Sequence, residues 1–347
     1  MNKIEILAFC SLAMFSSEAV SGLLMKARQT STCSFMFEND LFGTTDRYYT
    51  NGVMAGCISK DVTEYAAINP YADWLDRTIQ KIPYLKIGQG SLRKSLTVGA
   101  SVGQKIYTPQ DITQTQLITT DRPYAGWLYF GTSLYARDRY HMDTAELVLG
   151  VVGPAALGEQ AQNGVHKLRD IPQAQGWDNQ LHNELGVMLV LERRHKTRSH
   201  SLWGALKYDA ITHYGGAVGN VYTYVNGGAE VRMGWRIPKD FGTSLIRPGG
   251  NVNGPGAGDQ RLRGGLSVFG FGAVSGRYVV RNIFLDGNTF TDSHHVDKTP
   301  WVTDLVYGAG FTWSAYKLTF SRVQRSKEFK GQQKSHIFGS LTLSISF

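Results

Sequence analysis

The sequence predicts an all-β fold, a transmembrane antiparallel β-barrel of about twelve strands, and three observations carry that prediction. Charged residues are only 18% of the 347-residue chain, although hydrophobic residues reach 42% and aromatics 12%, with 39 glycines and 17 tyrosines. An ordinary soluble domain has about 25% charged residues. Beyond the N-terminus, no apolar run approaches the ~20 residues that a membrane helix needs. Hydrophobicity alternates instead, residue by residue, over long segments. Composition alone also fits a soluble β-rich protein. The alternation favours a barrel whose lipid face is diluted by a polar lumenal face.

The chain begins with Lys3, an almost wholly apolar run from Ile4 to Phe15 broken by Glu5, and then small residues. Residues 1–22 read as a secretory signal peptide, with cleavage sites available between Ala19 and Ala27. Residues 31–347 read as one barrel domain. Strands are expected near 31–38, 50–60, 93–107, 124–137, 143–153, 183–196, 200–214, 220–237, 263–283, 301–313, 315–326 and 335–347.

The segment VYTYVNGGAEVRMGWRI decides the class. Val221, Val225, Val231, Met233 and Trp235 share one parity, and Tyr222, Tyr224, Glu230 and Arg232 share the other. LGVMLVLER repeats the pattern, with Leu185, Val187 and Leu189 set against Glu184, Met188 and Glu192. The chain closes on SLTLSISF, where Leu341, Leu343, Ile345 and Phe347 oppose Ser340, Thr342, Ser344 and Ser346. An even strand number suits closure, because closure leaves no sheet edge in lipid.

Barrels of this kind keep both termini on the periplasmic side. The first, third and fifth connections then gather at the exterior rim. Two connections on the opposite side are long: 61–92, with the helix-like YADWLDRTIQKI, and 238–262, rich in Gly and Pro.

The net charge of +8 suits an anionic lipid surface. Zinc-finger spacing, a P-loop and an RNA-binding aromatic signature are all missing, so no nucleic-acid partner is expected. Of the three cysteines, Cys10 would leave with the signal. Cys33 and Cys57 are either a cross-strand disulfide or two small core residues.

Chemistry concentrates at the exterior rim. ENDLFGTTDRYYTNG, from Glu38 to Gly52, supplies Asn39, Asp40 and Thr50. Their hard oxygens suit calcium; Asn and Asp are also ordinary turn residues. The fifth connection carries Gln162 and His166, four apart and on one face of a helical turn. A neutral imidazole can take a proton from water, as ester hydrolysis requires. In DRPYAGWLY, Arg122 forms either an ion pair with Asp121 or a contact with a charged headgroup. Tyr124, Trp127 and Tyr129 of that segment read as an interfacial aromatic girdle. Arg47, Lys167 and Arg169 are further candidates for phosphate attraction.

Three motifs in order, FENDLFGTTDRYYTNG, the segment from GQKIYTP to DRPYAGWLY, and VVGP followed by QNGVHK, resemble the outer-membrane lipid A deacylases of the LpxR family. The resemblance spans about Ser31 to Phe347. It implies a twelve-stranded monomeric barrel that removes the 3'-linked acyloxyacyl chain of lipid A in the outer leaflet, using calcium. Carried over by motif, Asn39, Asp40, Thr50, Gln162 and His166 are the catalytic residues, with Asp40 and Thr50 on the metal. Arg122 and Lys167 would bind substrate. His166 would be the general base, and Asp40 would serve either the calcium or the histidine. The family's loop lysine has no counterpart after Ile106-Tyr107-Thr108-Pro109; Gln114 lies nearest, and Arg122 is a possible substitute. An outer-membrane phospholipase and a non-enzymatic channel or adhesin are the rival readings.

Overall fold

The computed structural model describes residues 31–40, 48–60, 95–243, 245, 252–256 and 259–347. The expected signal peptide, Arg47 and the 61–92 connection lie outside the described residues. The strands are β1 (Thr32–Asn39), β2 (Tyr48–Ile58), β3 (Ser95–Thr108), β4 (Ala125–Arg137), β5 (His141–Val152), β6 (Glu184–Lys196), β7 (His200–Trp203), β8 (Leu206–Gly219), β9 (Tyr222–Trp235), β10 (Leu266–Asn282), β11 (Trp301–Trp313), β12 (Tyr316–Arg325) and β13 (His336–Ser346). Neighbours in sequence pair antiparallel except β6 and β7, β1 pairs with β13, and β6 pairs with β8. The sheet therefore closes as a twelve-stranded barrel, with the four-residue β7 prolonging the β6 line along the start of β8.

The alternation in the sequence is an inside-out pattern. Leu341 and Leu343 are 38% and 39% exposed, whereas Ser340, Thr342, Ser344 and Ser346 are buried. The same holds for β9, where Val225, Val231 and Met233 are exposed and Arg232 is completely buried. Apolar side chains form the outer surface, where lipid replaces water, and polar side chains point into the lumen and pair there. At the closing seam, Ser34 Oγ and Ser344 Oγ lie 2.8 Å apart, and Thr32 Oγ1 and Ser346 Oγ 3.0 Å apart. Cys33 pairs with Cys57 across β1 and β2 as a disulfide, their Cα atoms 4.0 Å apart.

Two expectations are corrected. The stretch 200–214 is not one strand. The chain reverses at Gly204, whose φ of 53° suits a residue without Cβ, and 200–203 belongs to the β6 side of that hairpin. The polar run before it is no turn: Thr197 N donates to Ala210 O at 2.8 Å and keeps the two lines together. Trp127 and Tyr129 are not a girdle. Phe130 of β4 is half exposed and sets the outward parity, so Trp127 and Tyr129 point inward, where their rings stack at 5.8 Å. Exposed aromatics such as Trp301, Trp313 and Tyr316, near strand ends, occupy the girdle positions instead.

The β1–β2, β3–β4, β5–β6, β8–β9, β10–β11 and β12–β13 connections share one rim, opposite the chain termini. The described parts of the long 236–265 connection, which leaves the other rim, lie in the lumen. Phe241 and Val252 pack there against Met36, Met54, Ile58, Tyr135 and Met142. Asp240 sits at the centre of a buried charge cluster: Arg232 Nη1 lies 2.6 Å from Oδ1, and Lys317 Nζ and Arg261 Nη2 lie 2.6 and 2.9 Å from Oδ2. Arg232 also makes two bonds to Asp209, at 2.7 and 2.9 Å. Strands β8, β9 and β12 thus hold this lumenal plug by charge.

Candidate active site on the outer wall

β1 ends at Asn39, which faces Asn51 of β2, so Asp40 and Thr50 are the next residues on the two sides of the hairpin. Thr50 is an extra residue in the β2–β3 ladder. Tyr49 faces Tyr107 and Asn51 faces Ile106, leaving Thr50 as a bulge. Bulges re-aim a side chain, and here Tyr48, Tyr49 and Thr50 are all buried in succession. Tyr48 has a φ of 71°, a strained value for a bulky residue, and it opens the strand immediately before the bulge. The bulge brings Thr50 Oγ1 to 2.8 Å from Thr108 Oγ1. Asn39, Asp40, Thr50 and Thr108 are each at most 5% exposed.

The β5–β6 connection begins with a short turn, Pro154–Ala156, and then forms helix α1, Gly158–Leu168. Glu159 in the first turn and Lys167 in the last match the helix dipole. Gly158, Gln162 and His166 are its buried stripe, at i, i+4 and i+8. That stripe lies on the outside of the barrel. Val102 and Phe130 set the outward parity of β3 and β4. Gln104 and Gly126 share it, and both meet this connection. Gln104 Nε2 donates to Ala156 O at 2.6 Å. A Cβ on Gly126 would lie 3.0 Å from Ala156 Cβ and 3.1 Å from Gly158 N, so glycine allows the close approach. Ile106, Tyr124, Ala174 and Trp177 seal the join.

His166 is 5% exposed, and its Nδ1 lies 2.6 Å from Pro172 O. A carbonyl only accepts, so the bond assigns the ring proton to Nδ1 and makes Nε2 the basic nitrogen. Ile171 N donates back to His166 O at 3.0 Å, and Asn163 and Ala174 exchange two bonds, so the returning segment is tied to the helix. Gln162 Oε1 accepts from Trp177 Nε1 at 3.1 Å.

The rim opposite the termini therefore carries two sets: the hairpin oxygens of Asn39, Asp40 and Thr50 at the β1–β2 connection, and the α1 pair of Gln162 and His166 on the outer wall of β3 and β4. Lys167 is exposed beside His166. Arg122 is placed elsewhere. Its guanidinium is fully buried, 4.6 Å from the Tyr107 ring centre, with Nη1 3.5 Å from Glu328 Oε2 and Nη2 3.4 Å from Phe284 O. Tyr107 lines the lumen, so Arg122 packs on the lumenal side of the barrel wall and not beside Gln162 and His166. Its neighbour Asp121 accepts backbone bonds from Arg122 and Gln110, at 2.7 and 2.8 Å. Gln114 is exposed and donates to Asp111 at 2.9 Å. Bonds from Thr113 and Gln114 hold the Asp111 carboxyl below its usual range.

The donor set at the hairpin is all oxygen, with one fully buried carboxylate. Among the described residues, no cluster of three His, Cys, Asp or Glu forms a metal cage. Such a sparse set of hard oxygens suits a calcium ion that completes its shell with carbonyls, water or substrate. It does not suit zinc.

Thr108 and Trp177 join the site without a sequence signal strong enough to mark them. A lone Trp in the polar run QAQGWDNQ was the available hint for Trp177.

A closed, outward-apolar antiparallel barrel with a polar, plugged lumen is an outer-membrane β-barrel. The chain belongs to the family described as outer membrane protein LpxR, whose model matches residues 6–347. Among solved structures, it is similar to LpxR from Salmonella typhimurium, with a TM-score of 0.69, 19% sequence identity, and coverage of 91% of this chain and 100% of that one. The β domain of the Bordetella autotransporter BrkA gives a TM-score of only 0.38 at 10% identity, covering 92% of this chain and 97% of that one. No curated protein matches by sequence.

Proposed function

We propose that the protein is a lipid A 3'-O-deacylase, hydrolysing the ester of the 3'-linked acyloxyacyl chain in the outer leaflet as a monomeric enzyme. The observation that carries this reading is the side on which the base lies. His166 and Gln162 face the outer wall of β3 and β4, continuous with the lipid-facing band, whereas a lumenal site would suit a soluble solute. A lipid ester reaches such a site by lateral movement in the leaflet. The rim opposite the termini is the exterior one in this reading.

His166 Nε2 takes a proton from water as the water oxygen attacks the ester carbonyl. The Pro172 carbonyl orients the imidazole, the role a carboxylate has in Ser-His-Asp arrangements. Asp40 is thereby assigned to the metal, together with Thr50, and Asn39 supports the same hairpin. Calcium bound there would polarise the ester carbonyl and stabilise negative charge on its oxygen. Lys167, next to the base and open to the surface, draws the lipid phosphates towards the site.

The test is direct. Purified barrel incubated with lipid A releases the 3'-acyloxyacyl chain, seen by mass spectrometry, and leaves glycerophospholipids intact. Cleavage of phospholipid in place of lipid A would assign the site to a phospholipase. Adding a calcium chelator is expected to lower release by about 10²-fold or more, with restoration by calcium. Full activity in chelator would remove the metal from the account.

A further inference from the structure

Gln162 is 3% exposed, and its two amide atoms are treated differently. The oxygen accepts from Trp177 Nε1 at 3.1 Å, while Nε2 is buried with no hydrogen-bond partner among the described residues. An indole N–H can only donate, so the bond fixes which end of the amide is oxygen. A buried donor left unpaired is costly, and its retention points to an acceptor supplied by a ligand. His166 lies one turn further along the same buried stripe. The two residues that sequence offered as oxyanion donors are occupied elsewhere: Gln114 with Asp111, and Arg122 with Glu328.

We propose that Trp177 is a positioning residue, holding the Gln162 amide so that Nε2–H donates to the ester carbonyl oxygen as it becomes an oxyanion. This rests on the hydrolytic reading above. The water oxygen bonds to the carbonyl carbon, and its proton passes to His166 Nε2. The C=O π pair moves onto oxygen, where Gln162 donates. Collapse restores the C=O bond, breaks the bond to the sugar oxygen, and returns the proton from His166 to that oxygen. With the amide free to flip, a fraction of molecules would present Oε1 to the oxyanion and repel it.

Four full-length variants test this: Trp177→Phe, Gln162→Leu, Gln162→Glu and the Trp177→Phe/Gln162→Leu double. Trp177→Phe keeps an aromatic ring among Ile106, Tyr124 and Ala174. Its kcat is expected to fall about 10-fold, with KM little changed. Gln162→Leu and Gln162→Glu should each lose about 10²–10³ in kcat, because both remove the donor. The double variant should match Gln162→Leu alone, since Trp177 acts only through the amide. An unchanged kcat in Trp177→Phe, wild-type kcat in Gln162→Glu, or a double variant equal to the product of the singles would overturn the proposal. A second readout needs no turnover: affinity for a long-chain alkylphosphonate, whose anionic oxygen mimics the oxyanion. It should fall in every variant and no further in the double. Equal affinity throughout sinks the proposal. A wild type that binds the phosphonate but leaves lipid A uncut sinks the substrate assignment alone.

Discussion

His166→Ala is expected to lower release of the 3'-acyl chain about 10²–10⁴-fold, with the barrel still folded. The size follows from what the imidazole does. Its Nδ1 proton is engaged by Pro172 O at 2.6 Å, so Nε2 carries the basic lone pair that the proposed mechanism uses. Nothing else on the buried stripe of α1 can take a proton from water, since Gly158 has no side chain and Gln162 is an amide. The fold is expected to survive because α1 lies outside the closed ladder, whose pairing is complete without it. The checks are product release by mass spectrometry and the heat-modifiable mobility of a folded barrel. Wild-type release from the variant would remove His166 from the chemistry.

Asp240→Ala should act on stability, with a loss of about 3–5 kcal/mol, because it leaves buried cations without their counter-charge. Arg232, Arg261 and Lys317 all contact this one carboxylate, and Arg232 and Arg261 keep only part of their compensation, from Asp209 and Asp259. Burial alone would push the Asp240 carboxyl up. Lys317, Arg232 and Arg261 outweigh it and hold the group well below the usual carboxylate range. A carboxyl depressed in this way adds stability at every pH above its unfolded value of about 3.9, and that stability is lost as pH falls through the folded value. Urea unfolding in lipid vesicles should therefore show a contribution from Asp240 that is constant from neutral pH down to about pH 4 and lost only in stronger acid. The Ala variant should have a lower midpoint at neutral pH and a weaker acid dependence. Equal midpoints for variant and wild type would show that the plug is not held by this cluster.

The barrel was legible because lipid leaves a strict mark on a strand. Leu341, Leu343 and Ile345 cannot trade faces with Thr342 and Ser344 without burying hydroxyls in hydrocarbon. The hairpin at Gly204 was misplaced because the polar residues Thr197, Arg198 and Ser199 resemble a turn in sequence, while in the fold Thr197 continues a line that pairs beside Ala210. Parity also governs Trp127 and Tyr129: their type suggested an interface, but Gly126 and Phe130 hold the outward positions.

At the candidate site, the shared helix face of Gln162 and His166 was legible from their spacing, and the placement of Asn39, Asp40 and Thr50 at one hairpin from the turn between them. Arg122 was not, because a charged residue beside Pro123 gives no sign of whether it turns to lipid or lumen. The Glu328 partner that draws it inward lies 206 positions later in the chain. The bulge at Thr50 and the Trp177 bond to Gln162 depend on register and on a returning segment, which no local pattern records. The cysteines were left open between two readings, and the strand register that sets Cys33 opposite Cys57 decides for the disulfide.

The most direct measurement is the mass spectrum of lipid A from cells carrying this protein, from cells lacking it, and from cells carrying His166→Ala. The account predicts a species lighter by the 3'-linked acyloxyacyl chain in the first sample only. Identical lipid A in all three, with folded barrel present in the outer membrane of the first, would contradict it.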